Sequence, residues 1–362
     1  MFKKSFSVLF LIFSAIVFAN AQGIKYSPDG KNLAVNFPVS FSNDKNIQHI
    51  IFFDSLSGKL KSSVNMTDLQ RGKLLFTNSG QSLLIANQTD TKNIKLTADN
   101  KTEAQDFSSS TSDYDNELVS LAFSADGKIF YKLYSNKLVA YNFFSQTVKE
   151  DNNKVVAEIT AENSNNAFLA LSSNGKIAVE YRKKGAEHSL VIHDLAAKTE
   201  KIIKLPYNFV ENGDASFSAE ISENGEKLVL NAQTEEYSQL TVWNLKTATQ
   251  IGTFAFTEAE GDEAADKNPV KNFTISPDGK KIAVKIGEKY DDNNDTVVLW
   301  DTETKKDTIA EVKRFSEEFF VENFVFSPDS KNLTVFSEVL LPNNFSAKVQ
   351  ILDANTGKFI RE

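Results

Sequence analysis

The chain has 362 residues, 40 Lys and Arg against 48 Asp and Glu, a formal net charge of −8, three His and no Cys. Absence of cysteine excludes disulfides, thiolate metal sites, iron–sulfur clusters and thiol nucleophiles. Three histidines (His49, His188 and His193) leave little for a multi-histidine metal site, and the acidic balance argues against a nucleic-acid partner, which needs clustered Lys and Arg. With 41% hydrophobic and 24% charged residues, the composition is that of a folded chain.

The amino terminus reads as an address. Lys3 and Lys4 precede an apolar run from Phe6 to Phe18, and Ala19-Asn20-Ala21 has the small-x-small pattern of a signal-peptidase site. Residues 1–21 are therefore expected to be a cleaved signal peptide, leaving 22–362 as a single exported domain, periplasmic or secreted. Thirteen apolar residues are too few to cross a hydrocarbon layer of roughly 30 Å as a helix, so no integral membrane segment is expected after cleavage. Loss of Lys3 and Lys4 takes the balance to 38 against 48, or −10. An exported chain without cysteine must be stabilised by apolar burial alone.

From Gly23 onward one unit recurs seven times. Its signature is an apolar strand, a Ser-x-Asp/Asn-Gly turn and a second apolar strand. The turns are Ser27-Pro28-Asp29-Gly30, Thr77-Asn78-Ser79-Gly80, Ser124-Ala125-Asp126-Gly127, Ser172-Ser173-Asn174-Gly175, Ser222-Glu223-Asn224-Gly225, Ser276-Pro277-Asp278-Gly279 and Ser327-Pro328-Asp329-Ser330. The fourth positions (30, 80, 127, 175, 225, 279 and 330) are 47 to 54 residues apart. Pro presets φ, Asp or Asn bonds its own backbone, and Gly supplies the positive φ that closes such a turn. Period-two alternation on both sides predicts antiparallel strands sharing one buried face. Ile24/Tyr26, Leu121/Phe123, Leu169/Leu171 and Phe273/Ile275 lie before the turn, with Leu33/Val35, Ile129/Tyr131, Ile177/Val179 and Ile282/Val284 as their partners after it.

A third strand ends in an aromatic or aliphatic residue plus Asp or Asn: Phe53-Asp54, Tyr141-Asn142, His193-Asp194, Trp243-Asn244, Trp300-Asp301 and Leu352-Asp353. The second copy is degenerate here, around Ile94-Lys95-Leu96. A short polar turn leads to a fourth strand, as at Lys59 to Val64. Four short antiparallel strands per repeat of about 49 residues describe a propeller blade. The expectation is an all-β, seven-bladed β-propeller of four-stranded blades, each from one continuous segment, with blade seven packing on blade one and no borrowed strand.

The repeats resemble those of WD-repeat propellers and the related TolB-type propellers over residues 23 to 362. Val298-Leu299-Trp300-Asp301 and Thr241-Val242-Trp243-Asn244 match the WD dipeptide, and Ser276-Pro277-Asp278-Gly279 matches the turn. The Gly-His dipeptide of the WD class is absent from every copy. The resemblance implies a rigid binding platform. It also admits a propeller hydrolase or lactonase with carboxylates and Asn at the channel mouth.

Blade geometry puts the turns after strands one and three on one face, where they are expected to be short and uniform, and the connections after strands two and four on the other. Long connections on a rigid scaffold are where binding resides. Three of these are acidic: Asp99 to Glu117 (with Asp113, Asp115 and Glu117), Thr257 to Lys271 (with Glu260, Asp262 and Glu263) and Glu288 to Asp295 (with Asp291, Asp292 and Asp295). Clustered negative charge would steer a cationic partner or hold Ca²⁺ in the manner of a calcium-dependent adhesion module. Asp291-Asp292-Asn293-Asn294-Asp295 lacks the Gly and Glu of an EF-hand loop and reads as a hairpin connection in blade six.

No G-x-S-x-G elbow, P-loop or G-x-G-x-x-G occurs. His188 and His193, five apart on one strand, point to opposite faces, and His193 stands where other copies carry Trp, Tyr or Phe. His49 reads as a surface residue. The functional expectation is a monomeric platform for another protein or a cell-surface glycan, with no catalytic residue assigned.

Overall fold

In the computed structural model the repeat signature forms the same turn seven times. The structure describes residues 23–40, 46–67, 72–88, 90–97, 102–106, 117–143, 155–162, 166–205, 216–233, 238–255, 270–286, 296–314, 319–341 and 344–362. In the first turn the Gly30 N–H donates to the Ser27 carbonyl at 2.8 Å, and the Ser27 hydroxyl donates to Asp29 Oδ1 at 2.6 Å. The same hydroxyl accepts the Asn32 N–H at 2.9 Å. The side-chain bond recurs at Ser124–Asp126, Ser172–Asn174, Ser222–Asn224, Ser276–Asp278 and Ser327–Asp329, between 2.6 and 2.9 Å. The signature serine thus satisfies a buried turn from both sides, which is why Ser27, Ser172, Ser222 and Ser276 are completely buried.

Seven four-stranded antiparallel sheets result, each in sequential order from the inside outward. Blade one opens with Gly23–Tyr26 and Asn32–Ser40, and blade seven ends with Asn344–Asp353 and Phe359–Arg361. The seven first strands meet in cyclic order, and that of blade seven (Phe319–Phe326) closes on Gly23–Tyr26. The protein is a seven-bladed β-propeller whose blades are each one continuous segment. Closure needs no exchanged strand: Ile24, Tyr26, Leu33 and Val35 pack on Phe336, the Tyr26 and Thr334 hydroxyls bond, and the Arg361 Nη2 donates to the Ser55 carbonyl at 2.8 Å. Six further apolar clusters fill the other interfaces between adjacent blades. Among the described residues no helix is long and apolar enough to cross a membrane. The run Phe6 to Phe18 and the expected cleavage site lie outside them.

Strand-three aspartates act locally. Asp54, Asp194, Asp301 and Asp353 each accept the N–H of the residue three further on, at 2.7–2.8 Å, and Asn244 does so at 2.9 Å. They cap the turn into strand four, so the blade stands without the histidine network its sequence lacks.

Three sequence expectations are corrected. The first turns are uniformly five residues, but the turns after strand three are not uniform: blade three has twelve residues between Lys137–Asn142 and Val155–Thr160. The span from Asp99 to Glu117 is not one connection, because Thr102–Asp106 is the fourth strand of blade two. Only its latter part, with Asp113, Asp115 and Glu117, joins blades two and three.

The third correction concerns register. Phe123 pairs with Phe130 and Leu171 with Ala178, so Ile129/Tyr131 and Ile177/Val179 lie on the face opposite to that expected. Apolar residues of both parities follow these two turns, and alternation alone cannot choose between them. The constant five-residue turn does choose. Leu169, expected to share a face with Leu171, is instead the extra residue of a bulge between Phe168 and Ala170.

Candidate functional site

Of the acidic residues singled out in sequence, Asp113, Asp115, Glu260, Asp262, Glu263, Asp291, Asp292 and Asp295 lie outside the described residues. Glu117 is described: it is exposed just before Leu118–Phe123, and its carbonyl accepts the Ser135 N–H at 2.9 Å. Among the described residues no three His, Cys, Asp or Glu gather as for a metal ion. The connections bearing these residues follow strands two or four, as expected, and connections of that kind range from two residues (135–136) to fourteen (256–269).

What the structure does bring together lies in the channel. A cavity of about 400 Å³ opens among the first strands of blades three to six. Its position along the axis follows from chain direction. First strands run toward the serine turns, and the cavity reaches Val270, the first residue of its strand, and Gln233, the last residue of Lys227–Gln233. It therefore extends to the face of the long connections.

On this reckoning Glu220, two residues before Ser222, is the polar lining residue nearest the serine turns. Its equivalents in blades one to seven are Lys25, Leu75, Ala122, Ala170, Glu220 itself, Thr274 and Val325. Among these seven positions only Glu220 and Lys25 are ionisable. The Thr274 hydroxyl donates to Glu220 Oε1 at 2.9 Å and the Ile275 N–H to Oε2 at 3.3 Å, fastening the carboxyl to blade six. Burial pushes its pKa up to about 7, against the lowering effects of Lys25, Thr274 and Ile275. Toward the mouth, Ser120, Ser218, Asn231, Gln233 and Asn272 border the space. Among the described residues the side chains of Ser120, Ser218 and Gln233 have no hydrogen-bond partner.

A second polar cluster lies between blades three and four. Glu180, completely buried, accepts from Arg182 Nη2 at 2.9 Å, and its Oε2 is 2.9 Å from His193 Nε2. His193 Nδ1 is 3.3 Å from Glu200 Oε1, and the Phe168 ring centroid is 5.6 Å from the imidazole. Burial alone would raise the Glu180 pKa, but the bonds and charges of His193 and Arg182 prevail and lower it. His188 lies on the opposite sheet face, as expected from its spacing, and bonds Tyr181 Oη at 2.5 Å.

Glu180 takes the core position held by Val35, Ile85, Leu230, Val284 and Val335 elsewhere. Lys132 occupies the same position in blade three, completely buried against blade two, where desolvation lowers its pKa to about 8 despite Asp90. Sequence alternation missed both because it placed their neighbours Tyr131 and Val179 in the core. Counting eight residues from each signature serine would have found them.

Fold and cavity define the class: a seven-bladed β-propeller with continuous blades and a polar pocket in its channel. No protein-family model matches the chain, and no curated protein matches it in sequence. Among solved structures, the β-propeller domain of Cps50 (Swd1) from Myceliophteria thermophila aligns with a TM-score of 0.57 at 13% identity, over 92% of this chain and 97% of that one. Hsv2 of Kluyvelomyces marxianus aligns with a TM-score of 0.53 at 12% identity, over 93% and 99%. Both neighbours are WD40 propellers, and at these identities the likeness is one of fold.

Proposed function

We propose that the protein is an exported, monomeric binding platform whose partner, another protein or a cell-surface glycan, docks on the face of the strand-two and strand-four connections. One observation carries this reading. All seven first turns have five residues, whereas connections on the opposite face run from two to fourteen. Apart from the twelve-residue turn after strand three of blade three, the first rim holds turns of four or five residues, so the adaptable surface is concentrated on the second. The acidic balance of the segments 257–269 and 288–295 gives that rim the charge to attract a cationic partner. The alternative, a hydrolase at the channel mouth, has Glu220 as its one carboxylate among the residues lining the cavity.

The test is affinity capture from an envelope extract with the mature chain and with a variant whose segment 257–269 is replaced by a neutral linker, leaving Val270 and Lys271 in the channel wall. The expected result is a reproducible partner on the wild-type chain and its loss on the variant. Equal capture by both chains, or none by either, would overturn the reading.

A further inference from the structure

We propose that the channel cavity beside Glu220 binds a small, neutral, polyhydroxylated ligand of mono- to disaccharide size. The space, about 400 Å³, is at the lower end for a small-molecule site. Its chemistry selects the class. A ligand rich in hydroxyls both donates and accepts, and needs an environment doing the same. Ser120, Ser218 and Gln233 offer such groups without a protein partner among the described residues, and Asn231 and Asn272 stand beside them. Glu220 is held by Thr274 and Ile275 through one bond to each oxygen, so each oxygen keeps a lone pair for a ligand hydroxyl. Phe273 and Val270 give the wall an apolar surface for the carbon face of a ring.

Other classes fit worse. An anion would face Glu220, and a cation would face Lys271 in the wall and the charge of Lys25. A wholly apolar ligand would strand the serine hydroxyls and the Gln233 amide without bonds. With its pKa near 7, Glu220 is part protonated at neutral pH and then donates as well as accepts, which suits a neutral ligand.

The inference does not depend on the platform reading: saccharide binding and partner capture are separate measurements, and either fails without the other. The probes are glucose, galactose, N-acetylglucosamine, maltose and cellobiose, with glucuronate and glucosamine as charged counterparts. Each is titrated at millimolar concentration against the full chain by saturation-transfer NMR. At least one neutral sugar is expected to bind and to outcompete the charged ones. The S218A/Q233A variant alters two side chains without hydrogen bonds among the described residues, so it should melt like the wild type while losing about tenfold in affinity. Absence of saturation transfer from every neutral sugar overturns the proposal, as does preference for a charged probe. Unchanged affinity in the folded double variant overturns it equally.

Discussion

The glycine that closes six of the seven first turns has two separable duties, backbone conformation and room for the neighbouring blade. Gly175 and Gly225 have nearly the same φ, 64° and 74°, so any side chain at either incurs the left-handed cost of about 1–2 kcal/mol. Their surroundings differ. A Cβ on Gly225 would meet nothing within 4 Å, whereas on Gly175 it would come within 2.6 Å of the Tyr131 ring and 2.9 Å of the Phe123 carbonyl. Gly175→Ala must therefore displace blade three, at a further cost of about 1–3 kcal/mol. Urea denaturation of the two variants should show Gly175→Ala clearly the less stable; equal midpoints would mean that the turn does not bear on its neighbour.

At the scale of the strand, blade four replaces apolar packing with ion pairs. Glu180 and His193 occupy positions held in blade five by Leu230 and Trp243. Removing one member of a buried charged set leaves the others uncompensated, so Glu180→Leu is expected to cost about 3 kcal/mol. Replacing both restores the pattern of blade five. In a double-mutant cycle the E180L/H193W chain should be more stable than the single changes predict by at least about 1 kcal/mol. Simple additivity would show that the two side chains are not energetically one unit.

Over the whole ring, two sets of carboxyls oppose each other in pH. At Asp54 the Ser57 N–H and hydroxyl, with Lys61, hold the pKa near 2. At Asp29 and Asp329 burial raises the pKa, but bonds from Ser27 or Ser327 and from the backbone outweigh it and the net shift is downward. A lowered carboxyl contributes stability that is present above the unfolded value of 3.8 and lost as pH falls through the folded one. Glu220 has the opposite sign. Its folded pKa of about 7 exceeds the unfolded 4.5, so its contribution is complete below pH 4.5 and lost as pH rises through 7. The shift corresponds to at most about 3 kcal/mol, less in so far as the cavity lets water reach the carboxyl. The melting temperature should therefore peak near pH 4–5, between the two windows, and Glu220→Gln should flatten the fall between pH 4.5 and 7. An unaltered slope in that variant would remove Glu220 as its cause.

Repeat, turn and blade count were legible in the sequence because each is local. A Ser or Thr, an Asp, Asn or Ser two residues on and a fourth residue able to take positive φ recur at every first turn, and seven such turns mark seven blades. Register in blades three and four was not legible from alternation, because Ile129-Phe130-Tyr131 and Ile177-Ala178-Val179 are apolar at both parities. The buried charges Lys132 and Glu180 went unnoticed for that reason. Nor was the channel site: Glu220, Thr274, Ser120 and Gln233 belong to three blades, and although Glu220 and Thr274 hold the same place in the repeat, nothing local to the chain brings these side chains together. Local backbone chemistry decided the blades. Only closure of the ring, which sets the first strands of successive blades side by side about one axis, decided which side chains share a cavity.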